Sequence, residues 1–191
     1  MEHDPVDALL ARVGFRPEHA EQLVRLRPLM HPLAHEMALA FYDHLGQDPS
    51  TRALLWKEPG RVERLYGNFE QWYRQLFDGV YDEAYAETRW RIGVVHARHG
   101  VRISALIPAV GQVYALALEH LLFALRPLDL PPALEALNKV LTLDTTLMAE
   151  SYELATAAGL EHGADWETAP QRGAEWLLGQ AKRRSAFVRG G

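Results

Sequence analysis

Apolar residues recur at the helical period along almost all of this 191-residue chain, and strict apolar–polar alternation never lasts long enough to build a sheet. That confines the chain to an all-α architecture. Prolines and glycines then set the elements. A short helix is expected over Val6 to Val13. A second opens at Pro17, where proline suits a first helical position, and ends before Pro28. A third covers Pro32 to Leu45, with Leu33, Met37, Ala38, Phe41 and Leu45 on one stripe. Gly46 to Ser50 breaks the chain, a short element over Thr51 to Lys57 follows, and Pro59-Gly60 opens a helix running to Phe77. Another helix covers Asp82 to His99 and stops at Gly100, a fitting C-terminal cap. The two longest run from Ile103 to Leu125 and from Pro132 to Leu160, and Pro108 predicts a kink in the first of them. About eight helices therefore form one domain over residues 1–160. Residues 161–191 make a tail in which Ala174 to Val188 is a candidate helix, with Trp176, Leu177 and Leu178 on its apolar face.

Composition narrows the chemistry. Hydrophobic residues at 48% supply a sizeable core, and the chain has no cysteine. Disulfides, thiolate zinc sites, a cysteine nucleophile and a haem attached through Cys-x-x-Cys-His are all excluded. The net charge of −5, from 20 basic and 25 acidic residues, leaves no electrostatic footprint for nucleic acid. The most apolar stretch, Ala115 to Leu125, is interrupted by Glu119 and His120 and falls short of the roughly 20 residues a spanning helix needs. The N-terminal MEHDPVDALLARVGF is acidic where a signal peptide would be basic. A soluble, cytoplasmic protein with no membrane partner is expected.

Nine histidines invite a search for ligands. His31 and His35 are four apart on one helical face, a metal-ligand spacing, but no third ligand accompanies them and surface positions are the expectation. His44, His120 and His162 sit among polar or loop residues and are expected to be solvated. Arg91 to Gly100 is more specific. His96 shares a stripe with Tyr85, Arg89, Ile92 and His99, with Val95 beside it and Gly93 a turn back, removing bulk next to the imidazole. Such surroundings favour the neutral imidazole that ligates metals, although on the pattern alone a half-buried core histidine is the favoured reading.

Four segments, in order and in register, resemble the globin domain of globin-coupled sensors. Ile92-Gly93-Val94-Val95-His96 with Gly100 is similar to the haem-ligating helix, and Ala40-Phe41-Tyr42-Asp43-His44-Leu45 to the helix of the distal tyrosine. Leu76-Phe77-Asp78-Gly79, followed by Tyr81, Asp82 and Tyr85, resembles the turn ahead of the ligating helix. Leu143-Asp144 with Tyr152 resembles the last globin helix. The resemblance covers about Pro17 to Glu153. It implies a globin fold with an extra N-terminal helix, about eight helices around a pocket for one non-covalent haem b per chain. His96 would be the proximal iron ligand and Tyr42, 54 positions earlier, the distal donor to bound dioxygen. Phe41, Leu45, Leu65 and Phe69 would line the distal side, with Ile92 and Val95 near His96; ordinary core packing would use the same residues. His99 stands where the family usually carries an aliphatic residue and is a second candidate ligand one turn on. Val101-Arg102-Ile103 lacks the proline often found after the ligating helix. No histidine lies between Leu45 and Trp90, so five-coordinate ferrous iron with an open sixth site is expected.

Function follows from the same resemblance. The expected activity is reversible binding of dioxygen or another diatomic gas, read out as a gas or redox signal. No kinase, cyclase or methyl-accepting domain follows residue 160, so either the chain signals through an unidentified output partner or it is the sensor part of a longer protein. Leu116, Leu118, Leu121, Leu122 and Phe123 cannot all face one core, and the surplus would pair helices 103–125 and 132–160 with a second copy in a four-helix bundle. Two other classes stand beside the sensor. One is a haem enzyme of the nitric oxide dioxygenase type, which would need a reductase. The other is a helical interaction module without a cofactor, in which Lys182-Arg183-Arg184 would touch an acidic partner or nucleic acid, although three basic residues are usually a solvated face.

Overall fold

A computed structural model describes residues 5–157. The candidate tail helix, His162 and the Lys182 cluster lie outside the described residues. In chain order the elements are α1 (Pro5–Val13), α2 (Pro17–Met30), a 3-10 turn (His31–Leu33), α3 (Ala34–Leu45), α4 (Pro49–Leu55), α5 (Arg61–Gln75), α6 (Glu83–Arg98), α7 (Ile103–Ala124) and α8 (Leu130–Ala157). No strand occurs among the described residues, as the periodicity predicts.

The boundaries differ from the sequence expectation where proline is involved. Helix α2 continues through Pro28 to Met30 because Leu23, Leu26 and Met30 are all buried and hold its last turns in place. Residues 31–33 form a 3-10 turn and not the start of α3. Helix α4 starts at Pro49, two residues early, because the Asp48 carboxylate accepts from the Thr51 N–H at 2.7 Å and caps it. Helix α8 starts at Leu130, so Pro131 and Pro132 fall in its first turn, where the missing N–H groups would lack partners anyway.

The described chain divides into two compact units. The first holds α1, α6, the start of α7 through Ile107 and α8 from Thr142 onward. Its core contains Leu9, Phe15, Ala86, Leu106, Leu143 and Leu147. The Phe15 and Tyr81 rings meet edge to face at 4.7 Å, and Tyr81 meets Tyr85 at 5.0 Å.

The second unit holds α2 to α5 and residues 108–141 of α7 and α8. Helix α3 packs on α5 through aromatic rings, while Val113, Ala117, Leu121, Ala136, Leu137 and Val140 fill the α7–α8 side of its core. Two anchors tie α2 down. His19 accepts from the Arg16 N–H at 3.0 Å and meets the Glu135 carboxylate of α8 at 3.1 Å. Arg27 donates to the carbonyls of Phe77 and Asp78 at 3.2 and 2.6 Å. The turn that follows requires Gly79: its φ is +80°, and a Cβ there would overlap the Val24 side chain.

Helix α7 corrects one expectation. Ala115 to Leu125 is only part of its apolar length; the 22-residue helix is long and apolar enough to cross a membrane by length and composition, with an 18-residue window of mean hydropathy 1.5. Only 22% of that window is buried within this chain. Leu121 is buried, Leu116 and Leu118 are half-buried, and Leu122 and Phe123 stand 53% and 94% exposed.

Candidate functional site

The residues that sequence reasoning singled out fall into both units. In the second unit, α3 and α5 bring together Phe41, Tyr42 and Phe69. Phe41 and Phe69 lie 4.8 Å apart, and the Tyr42 ring meets Phe41 at 5.2 Å, Tyr66 at 5.5 Å and Phe69 at 6.2 Å, near edge to face. Tyr42 is buried among these rings. Burial, with a smaller contribution from the Tyr66 phenol, pushes its pKa well above the usual tyrosine value. Its hydroxyl therefore keeps its proton and is available as a hydrogen-bond donor. Leu45 and Leu65 are half-buried on the same two helices.

Tyr73, one turn beyond Phe69 on α5, was missed by sequence reasoning. Its ring stacks on Phe69 at 6.0 Å and its buried hydroxyl has no hydrogen-bond partner. Nothing in the sequence separates it from an ordinary core tyrosine, because the orphaned hydroxyl exists only once the packing does.

In the first unit, α6 carries His96. The Asp82 carboxylate starts this helix by accepting from the Tyr85 N–H at 2.9 Å. The helix ends in a Schellman motif: Gly100 at φ +72° bonds the Ala97 carbonyl and Val101 the His96 carbonyl, both at 3.0 Å. The backbone of His96 is thus held at a closed helix end.

Its imidazole is half-buried, and Nδ1 lies 2.7 Å from the Ile92 carbonyl. A carbonyl can only accept, so Nδ1 carries the proton and Nε2 presents a lone pair. Burial lowers the His96 pKa below the usual value, against the opposing effect of the Ile92 hydrogen bond. A neutral imidazole with its Nδ1–H bonded to a carbonyl and a free Nε2 is the donor a haem iron takes, so His96 fits an axial ligand. His99, the alternative one turn on, is exposed. Ile92 is half-buried, and Val95 stands 51% exposed.

Gly93 has a different role from the one its spacing suggested. A Cβ there would overlap Ser151 Oγ of α8 and come 2.7 Å from the Met148 carbonyl. The missing side chain makes room for α8, not for the imidazole. The buried Arg89–Asp144 pair with Tyr85 was also missed. Its members lie on separate sequence motifs, and no spacing rule pairs residues 55 apart.

The remaining histidines behave as expected or close to it. His31 meets the Arg74 carbonyl at 2.9 Å and His35 the Glu70 carboxylate at 2.8 Å, so the two have separate partners. No group of three or more metal-ligating side chains occurs among the described residues. His44 is exposed, while His120 is half-buried and 3.9 Å from Glu36.

Comparison with known proteins agrees with the motifs. The family model described as Protoglobin matches residues 2–157. A relative described as the heme-based aerotactic transducer HemAT of Halobacterium salinarum is 29% identical over 112 residues, covering 59% of this chain and 23% of that protein. The chain spans about a quarter of that relative's length. Among solved structures, the globin domain of the Geobacter sulfurreducens globin-coupled sensor matches with a TM-score of 0.71 at 28% identity, over 76% of this chain and 95% of that one.

Proposed function

Because this chain belongs to the protoglobin family and is a globin-coupled sensor globin domain, we propose that it binds one haem b through His96 and reports dioxygen or another diatomic gas. A bound haem would supply an iron able to take a diatomic ligand. The chain's own residues do the rest. His96 offers Nε2 while the Ile92 carbonyl holds its Nδ1 proton and fixes the ring orientation. Tyr42 keeps its proton and, in the distal role the resemblance gives it, would donate to a ligand that gathers negative charge, favouring dioxygen over carbon monoxide. Phe41, Leu45, Leu65 and Phe69, on the same two helices as Tyr42, would provide apolar surface for the haem. The single observation that carries this reading is the His96 imidazole: neutral, oriented, with a free Nε2 at a capped helix end.

Signalling fits the relatives' descriptions, an aerotactic transducer and a globin-coupled sensor, and favours a sensor over an enzyme. The uncovered apolar side of α7 supports pairing with a second copy of the chain through α7 and α8. A cytoplasmic site of action is part of the same proposal.

The test is an absorption spectrum after reconstitution with haem, reduced and then exposed to oxygen. A high-spin ferrous spectrum that converts to a stable oxygenated one in wild type, with uptake lost in His96→Ala, is the expected result. A bis-histidine low-spin spectrum, or no stoichiometric uptake, would overturn the reading.

A further inference from the structure

We propose that Arg89, Asp144 and Tyr85 form a buried latch that makes the position of His96 and the course of α8 depend on each other. The latch regulates the site proposed above and rests on His96 being the haem ligand. Arg89 and Asp144 are both fully buried. Arg89 Nε donates to one Asp144 carboxylate oxygen at 3.1 Å, and the Tyr85 hydroxyl donates to the other at 2.5 Å. The Arg89 guanidinium lies over the Tyr85 ring, 3.6 Å from its centroid. Both oxygens of one α8 carboxylate are therefore held by two successive turns of α6.

The contact continues along the same stripe. Residues 85, 89 and 93 recur every four positions on α6. Gly93 meets Met148 and Ser151, and Ser151 donates to the Met148 carbonyl at 2.6 Å. Beyond Gly93 the imidazole of His96 is bonded to the Ile92 carbonyl and its own carbonyl to Val101. The ring is thus fixed to α6, and α6 is fixed to α8.

Stability does not explain the latch. Apolar residues of similar volume usually hold two helices together as well as a buried ion pair does. They would, however, let α6 slide. A carboxylate engaged on both oxygens permits one register, so a displacement of His96 carries α8 with it. Asp144 and Arg89 are in this sense positioning residues for the iron ligand. The exposed Arg12–Glu150 pair also joins α8, but at 3.4 Å in solvent it constrains little.

The test uses the full chain, as apoprotein and reconstituted with haem. Asp144→Asn strands a buried guanidinium and can prevent folding, so the informative variant is Arg89→Met combined with Asp144→Leu. Tyr85→Phe, which keeps the ring and the ion pair, is read in the same way if the double variant does not fold. Hydrogen exchange of the 93–98 amides in the apoprotein should speed up about tenfold. In the ferrous haem protein the iron–histidine stretching band should move and the gas dissociation rate should change by about threefold or more. Arg12→Ala should change none of these. A folded variant with wild-type exchange and an unmoved band overturns the latch. Faster exchange with an unmoved band also overturns it, because the pair would then only stabilise the fold. Failure of wild type to take up haem sinks the haem reading instead, while wild-type exchange in a folded apoprotein variant would still overturn the latch on its own.

Discussion

Gly93 of α6 faces Ser151 of α8 with no room between them for even one methyl group. The two helices approach here more closely than any side chain would permit, one turn of α6 after Arg89 and just before His96. A glycine inside a helix costs about 1 kcal/mol relative to alanine, and this close approach offsets that cost.

Gly93→Ala should therefore destabilise the apoprotein by about 1–3 kcal/mol, as overpacking does, where alanine in an exposed helix position would stabilise. The Met148 backbone cannot rotate away as a side chain could, so Ser151→Gly should restore only part of the loss. Urea unfolding of the single and double variants measures both. A neutral or stabilising Gly93→Ala would show that α6 and α8 are not held together here.

Tyr42→Phe removes one hydroxyl from a cluster of rings and leaves the packing intact. A hydrogen bond to a charged acceptor contributes about 1.5–3 kcal/mol. Dioxygen should dissociate roughly one to two decades faster from the variant, while carbon monoxide dissociation changes little. Stopped-flow displacement of each gas separates the two cases. Equal effects on both gases would remove Tyr42 from the donor role.

Glu135 gives a pH prediction. The His19 imidazole, and Arg16 to a lesser extent, hold its carboxyl below the ordinary glutamate value. A lowered carboxylate pKa adds stability above the unfolded-state pKa and loses it as the pH falls through the folded-state value. Wild type should thus melt above Glu135→Gln near neutrality, and the gap should close below about pH 4. Melting curves from pH 7 to 3 test this. A gap that stays unchanged down to pH 3 would show that His19 and Arg16 do not hold the Glu135 carboxylate.

Leu122 and Phe123 are two adjacent apolar residues, both more than half exposed, on a helix that is mostly uncovered in a single chain. Replacing both with glutamate should convert a dimer into a monomer while haem uptake survives. Sedimentation velocity at micromolar concentration reads the outcome directly. A wild-type monomer, or a variant that remains dimeric, moves the interface away from this face.

The division between sequence and tertiary structure follows from the range of the forces involved. Periodicity and punctuation are local, so the sequence by itself determined the eight α-helices of the described residues, the Gly100 cap and the break at Gly46. It also determined the family, because the Ile92–His96, Ala40–Leu45, Leu76–Gly79 and Leu143–Asp144 segments are short and hold their spacing. Proline positions were less legible. Pro28 reads as a stop, but the burial of Leu23, Leu26 and Met30 depends on what α2 packs against, and that carried the helix past it. Tertiary structure alone decided what Gly93 is for, that Tyr73 buries an unpartnered hydroxyl, and that Asp144 holds Arg89 and Tyr85. Each of these depends on which surfaces of two distant helices meet. A buried charge or a missing methyl has meaning only against its neighbour, and the neighbour here lies more than 50 residues along the chain.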